Sequence, residues 1–314
     1  MQFIKAIGDV WRVNCMEKRW LRCWLLGLVT VALAGCVPER RSKAEKEPAP
    51  PPKPELSYER RTIGLSDVHI IRIPAGAPYR VLPAISDTVD NVATFAKREE
   101  AIAVLNGGYF DPVNQKSTSF VVLKGKTVAN PQDNERLVNN LEMAPYLTRI
   151  MERPTFRRYR CAGQIRYDIA PATELAPPEC RVLEELGAGP TLLPQLRAEE
   201  EAFTASKGGV MTRDPIGINT LNARSAVGLA ADNSVILVMV AQLPQEPYKS
   251  GMPLPALAGL MRDLGAVEAL NLDGGTSSAL FFQGKTHIGK VAADGSRLVR
   301  PVKSVLVVQD TRRN

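Results

Sequence analysis

Histidine is almost missing from this chain: only His69 and His287 occur in 314 residues. Both sit in stretches that read as β-strand, so a histidine-based triad or a zinc site would need long reach, and a structural role fits each better. The sequence also contains no Walker loop, no Gly-x-Ser-x-Gly elbow, no Cys-x-x-Cys pair and no His-Glu-x-x-His. No internal repeat marks a solenoid. There is no uninterrupted apolar run of the roughly 20 residues that a membrane helix needs. Strong charge of one sign is lacking too. The formal net charge is +7, but residues 1–35 carry five cations and two anions, so the rest of the chain holds only +4. Apart from Arg157, Arg158 and Arg160 the basic residues are scattered, which argues against a nucleic-acid partner. Hydrophobic residues make up 45% and charged residues 23%, the proportions of a chain that can build a core.

What is present begins with an export pattern. Lys18, Arg19 and Arg22 precede the apolar run from Cys23 to Ala32, and Leu33-Ala34-Gly35-Cys36 follows. This reads as a signal peptide over residues 1–35, with Met16 as an alternative start. The last four residues resemble the bacterial lipobox, which makes Cys36 the lipid-bearing mature N-terminus and the membrane a partner through that lipid. Val37, rather than aspartate, matches the pattern of lipoproteins released to the outer membrane, here facing the periplasm. An uncleaved anchor is the alternative, and it leaves the domain outside the inner membrane as well. Residues 36–57, with mixed charges and Pro48, Pro50, Pro51, Pro52 and Pro54, cannot bury apolar surface and read as a tether. Cys161 and Cys180 remain. In an oxidising compartment they imply a disulfide, worth roughly 3 kcal/mol in the chain-entropy model, against the alternative of two free buried thiols.

Residues 58–314 read as one domain. Strands are expected over 68–73, 80–85, 101–105, 120–123, 225–230, 235–240, 266–272, 279–282 and 302–308, with a hairpin turn at Asp232-Asn233. Two helices are signalled. One follows Asp90 or Asn91, with Val92, Phe95 and Ala96 on one face. The other starts around Pro255, carries Leu257, Leu260, Met261 and Leu264 at helical spacing, and stops at Gly265. The fold class is therefore α+β or mixed α/β: a mixed sheet or paired sheets flanked by a few helices.

Two glycine-rich corners each follow an apolar strand. The first is Asn106-Gly107-Gly108-Tyr109-Phe110-Asp111, where glycines permit positive φ and close approach to a ligand beside an amide and a carboxylate. A hairpin turn with a solvent-facing aspartate is the plain alternative. The second is Asn271-Leu272-Asp273-Gly274-Gly275-Thr276-Ser277-Ser278, a carboxylate followed by amides that can face an anion and then by three hydroxyls. Its plain alternative is a tight Asp-Gly turn. Between them Arg224 opens a strand; its fork matches phosphate oxygens, though a lone arginine is more often a surface cation.

Taken together, Asn-Gly-Gly-Tyr-Phe at 106–110, Gly-Ala-Gly-Pro-Thr-Leu-Leu at 187–193, Arg-Ser-Ala-Val-Gly at 224–228, Asn-Leu-Asp-Gly-Gly-Thr-Ser-Ser at 271–278 and Arg300 resemble the phosphodiester glycosidase family. Thr276 stands where that family usually has a third glycine, and residues 149–187 match nothing recognisable. The resemblance implies a hydrolase that cleaves the glycosidic bond of a sugar-1-phosphodiester, in the envelope or an extracellular polymer. On that reading Asp273 is the principal carboxylate and Asp111 the second. Arg224 with the Gly274 and Gly275 amides holds phosphate; Asn106, Gly107, Gly108, Thr276, Ser277 and Arg300 complete the substrate site. No cofactor is implied, although a divalent cation near Asp111 and Asp273 stays open. The rival is a non-catalytic lipoprotein that binds anionic glycans or assists exopolysaccharide assembly; a peptidoglycan-associated structural role has no dedicated motif.

Overall fold

Short apolar runs rich in valine, isoleucine and leucine, not helical periodicity, dominate the chain, and strands buried on both faces dominate the result. A computed structural model describes residues 54–313. The signal peptide, the Cys36 lipid site and nearly all of the tether lie outside the described residues.

Six strands form one antiparallel sheet, in the order Ser57–Ile63, Ser66–Ile73, Val235–Ala241, Arg224–Ala230, Ala266–Asn271 and Thr191–Leu193. A second sheet, also antiparallel, runs Lys285–Ile288, Ala279–Phe282, Ala103–Asn106, Val302–Asp310 and Tyr79–Asp90. Ile71, Val227, Leu237, Met239 and Leu270 of the first sheet pack on Val81, Leu105, Leu280, Leu306 and Val308 of the second. The opposite face of the first sheet, through Val68, Ile70, Ala226, Ile236 and Val238, packs on the helix Leu254–Asp263. The opposite face of the second, through Ala84, Val104, Val305 and Val307, packs on the helix Val92–Arg98. Neighbours such as Ile70 and Ile71 therefore feed different cores, as a period of two requires. The outcome is two stacked sheets with one helix on each outer face.

The expected helices and core strands are present. Asn91 is the N-cap of the first helix, although its side chain makes no capping bond. Gly265 adopts φ +88 just past the second, with its amide on Arg262 O. Asn233, at φ +67, turns the hairpin between Arg224–Ala230 and Val235–Ala241. The expectation of a mixed sheet needs correcting, since every strand pair among the described residues is antiparallel. Parallel neighbours need long, usually helical crossovers, and only two helices here exceed five residues.

Residues 149–187 supply most of a third antiparallel sheet. Its order is Lys126–Ala129, Val121–Leu123, Cys180–Gly187, Pro154–Cys161 and Gln164–Pro171. Phe156, Leu186 and Val121 insert into the inter-sheet core. Cys161 and Cys180 face each other across two of these strands and are joined by a disulfide, with Cα atoms 4.1 Å apart. The two histidines also meet. His69 is buried with its ring 4.3 Å from that of His287, and the Tyr58 hydroxyl lies 2.8 Å from His69 Nδ1. Among the described residues no helix is long and apolar enough to cross a membrane.

Candidate active site

The two glycine-rich corners come together at one end of the stacked sheets. Ala266–Asn271 and Ala103–Asn106 belong to different sheets, and the chain leaving each is tied to the other. Asp273 N donates to Gly107 O at 2.9 Å, and Leu272 N to Ser225 O at 2.8 Å. Asn106 is the bolt. Its Nδ2 donates to Asp273 O at 2.6 Å, while its Oδ1 accepts from Ser225 Oγ at 2.6 Å and Ala279 N at 3.1 Å. The side chain is wholly buried, with one Nδ2 hydrogen left over. Asn106 therefore acts as a structural staple that shapes the site, and burial closes it off from a ligand.

Gly107 and Gly108 also act by packing. Neither has positive φ; a Cβ on Gly107 would sit 2.8 Å from the Ser304 backbone, and one on Gly108 2.3 Å from Gly187 O. Positive φ does matter at Gly275 (+60), where the chain turns into the short 3-10 segment Gly275–Ser277.

A cavity of about 380 Å³ opens at this junction, with Tyr109, Asn222, Arg224, Asp273, Thr276 and Lys290 in its walls. Burial pushes the Asp273 carboxyl up to about 6, and the Ser277 hydroxyl, the Arg300 charge and the Gly274 amide only partly offset it. Among these the buried Ser277 hydroxyl pulls hardest toward the ionised form. At neutral pH Asp273 is ionised yet more basic than an ordinary aspartate.

Arg224 lines the same cavity, but its fork is largely committed. Nε donates to Met252 O at 3.0 Å, Nη1 to Ile216 O at 3.0 Å, and Nη2 to Gly217 O at 2.6 Å and Thr220 O at 3.0 Å. Three of its five N–H groups thus hold the roof of the cavity, residues 215–220, a fourth holds Met252 O, and one Nη1 hydrogen is left. Arg224 is mainly an organiser of the roof rather than the bidentate phosphate clamp expected from the sequence.

The Gly274 and Gly275 amides are likewise engaged, the first on Asp273 Oδ1 at 2.9 Å and the second on Ala223 O at 2.8 Å. They do not present a free anion nest. Thr276 Oγ1 accepts from Arg300 Nη1 at 3.0 Å, and the Arg300 guanidinium lies 5.1 Å above the Phe110 ring. Arg300 is thereby held within electrostatic reach of Asp273.

Asp111 is not a wall of this cavity. Its Oδ2 accepts from Arg136 Nε at 2.8 Å and its Oδ1 from Val113 N at 2.8 Å, which together hold its carboxyl below the usual range despite some burial. The expected second carboxylate is an ion-paired turn residue. Among the described residues no group of three or more His, Cys, Asp or Glu side chains is arranged to hold a metal ion.

Sequence reasoning missed three participants. Lys290 enters the cavity from beyond the strand Lys285–Ile288, with Nζ 2.9 Å from Asn222 Oδ1; burial and Arg224 lower its pKa. No motif announces it. Tyr109 was visible only as part of a motif; its hydroxyl donates to Gly189 O at 2.8 Å and accepts from Asn271 Nδ2 at 2.9 Å. The roof has one legible sign, Gly217 at φ +61 in a polar stretch before Arg224.

Comparison with known proteins agrees with this architecture. The zebrafish N-acetylglucosamine-1-phosphodiester alpha-N-acetylglucosaminidase catalytic domain, auto-inhibited by its pro-peptide, superposes with TM-score 0.56 at 18% identity, over 81% of this chain and 82% of that one. A hypothetical protein from Synechocystis gives 0.53 at 15% identity over 81% of this chain, which spans only 62% of the Synechocystis protein. At such identities the likeness concerns the fold. No curated protein matches. The phosphodiester glycosidase family model matches residues 99–309, a stretch that contains both corners, Arg224, Lys290 and Arg300, and the chain therefore belongs to the phosphodiester glycosidase family.

Proposed function

We propose that the protein hydrolyses the glycosidic bond of a sugar whose anomeric carbon is esterified to a phosphodiester. The observation that carries this reading is one carboxylate, Asp273, with its pKa pushed up to about 6, in the same cavity as Lys290 and Arg224. The departing group is a phosphate monoester, whose low basicity makes protonation by an enzyme acid dispensable, unlike an ordinary glycoside. One base and a set of cations therefore suffice. Asp273 accepts a proton from water as that water attacks the anomeric carbon. As the new C–O bond forms, the C1–O bond to the phosphate breaks and its electron pair leaves on the phosphate. Lys290, the remaining Arg224 hydrogen and Arg300 take up the charge that develops there. Thr276 is a wall of the cavity and its Oγ1 is at hand for an oxygen of the substrate, whereas Ser277 is buried behind the wall and acts on Asp273.

The test is release of free sugar from sugar-1-phosphate esters by purified protein. The proposal expects turnover that falls at least a thousandfold in Asp273→Asn; binding without release by the wild type would instead support the glycan-binding alternative. The export pattern supports a further part of the proposal, an enzyme of the cell envelope lipid-anchored through Cys36 at the outer membrane. Cys36→Ala is expected to move the protein from the membrane to the soluble fraction of fractionated cells.

A further inference from the structure

The cavity that holds Asp273 has a neighbour. Pro215 is a wall of both it and a second hollow of about 400 Å³, lined also by Glu142, Met143, Tyr146, Thr212, Arg213 and Asp214. That volume has room for a sugar-sized group. Arg213 is one of its walls; Arg149 and Arg153 are not walls, and are linked to it through the Tyr146 ring and the Ala202 carbonyl. Arg149 Nη1 donates to Glu199 O at 2.8 Å, Arg153 donates through Nε to Glu201 O and through Nη2 to Ala202 O, and Arg213 Nε donates to that same Ala202 carbonyl. The Tyr146 ring lies 4.9 Å from the Arg213 guanidinium and 5.4 Å from that of Arg149, while Arg153 lies 3.7 Å above Phe203. Phe203 in turn packs 5.5 Å from Tyr109, a wall of the Asp273 cavity.

None of the three arginines forms an ion pair with a carboxylate among the described residues. The acids nearby are engaged or peripheral. Both Asp214 carboxylate oxygens accept from Ile218 N, the Glu201 carboxylate accepts from Thr191 N and Oγ1, and Glu142 is exposed at the rim. Most of the N–H donors on these guanidinium groups have no protein acceptor. Gathering like charges costs free energy unless an anion joins them, and arginine forks fit phosphate oxygens.

We infer that this hollow is a second subsite, in which Arg213 and Arg149 bind a further phosphate one sugar beyond the scissile one, so that the substrate class is a polymer of repeating sugar phosphodiesters. The inference rests on the glycosidase reading above and adds the substrate to it.

The experiment compares three substrates: a sugar-1-phosphate methyl ester, a two-repeat oligomer with its second phosphate one sugar away, and a nucleotide sugar with its second phosphate directly adjacent. The wild type is expected to show a KM for the oligomer about tenfold below that for the methyl ester, with the advantage shrinking as salt rises. Arg213→Gln and Arg149→Gln should bring the ratio of the two KM values to near one while kcat for the oligomer holds. Arg213→Lys should restore part of the ratio, and thermal melts check that each variant is folded. Equal KM values in the wild type, or equal changes for both substrates, would overturn the subsite. Arginine dependence with the nucleotide sugar instead of the oligomer would overturn the polymer. Binding of a non-hydrolysable phosphonate analogue of the oligomer separates the two ideas: arginine-dependent binding without any turnover keeps the subsite and removes the glycosidase, whereas turnover without arginine-dependent binding does the reverse.

Discussion

Replacing Asp273 by asparagine tests whether the site stores free energy as a buried, ionised carboxylate. Burial raises this group from 3.8 to about 6, so the folded state holds the proton more tightly than the unfolded chain does. Stability from that preference is complete below pH 3.8 and is lost as pH rises through about 6. Two pKa units correspond to about 3 kcal/mol, and the partly open cavity reduces this through solvent screening to about 2 kcal/mol. Asparagine carries no charge and can still accept the Gly274 amide. The variant should therefore match the wild type at pH 4 and exceed it by about 2 kcal/mol at pH 7.5, near 4–8 °C in Tm for a domain of this size. Activity should move in the opposite sense, since kcat/KM of the wild type rises with pH around a midpoint near 6. Melting curves at both pH values, with a pH–rate profile, decide the matter. A variant no more stable than the wild type at pH 7.5, or an activity midpoint near 4, would refute the reasoning.

Other substitutions probe the frame around that carboxylate. Arg224→Ala leaves the carbonyls of Ile216, Gly217, Thr220 and Met252 without their donor, and urea unfolding should report a loss of about 3–5 kcal/mol. Gly108→Ala forces a Cβ to within 2.3 Å of Gly187 O; a loss above about 2 kcal/mol is expected in the same assay, and a near-neutral effect would mean the two backbones can part. His69 has its pKa lowered to about 4, first by burial and then by His287. Its neutral form is favoured by folding, so stability should fall as pH drops from 6.5 to 4, by about 2 kcal/mol, and His69→Gln should flatten that part of the pH–stability curve.

The sequence by itself determined the periodic parts of the molecule. Val68 to Ile73, Val235 to Val240 and Val302 to Val308 are apolar on one or both faces, and a strand is the compact way to bury such runs. The helix after Pro253 announced its own start, face and stop. The family was legible as well, because spaced motifs in fixed order are a linear property of the chain. The third sheet was not legible: Pro154–Cys161 and Gln164–Pro171 are rich in charge, and only docking of Phe156 and Leu186 into the inter-sheet core makes them strands.

Tertiary structure alone decided what each site residue does. Asn106, Asp111, Arg224 and the glycine amides all had the right chemistry for a ligand, but hydrogen-bond capacity is finite, and who consumes it depends on neighbours up to 173 residues away, as for Ala279 N on Asn106. Asp273, with the Gly274 amide on one oxygen, remained a wall of the cavity, and Lys290, which no motif announces, became another wall of it. A side chain's chemistry is written in the sequence; whether that chemistry is still available is settled by what the fold packs against it.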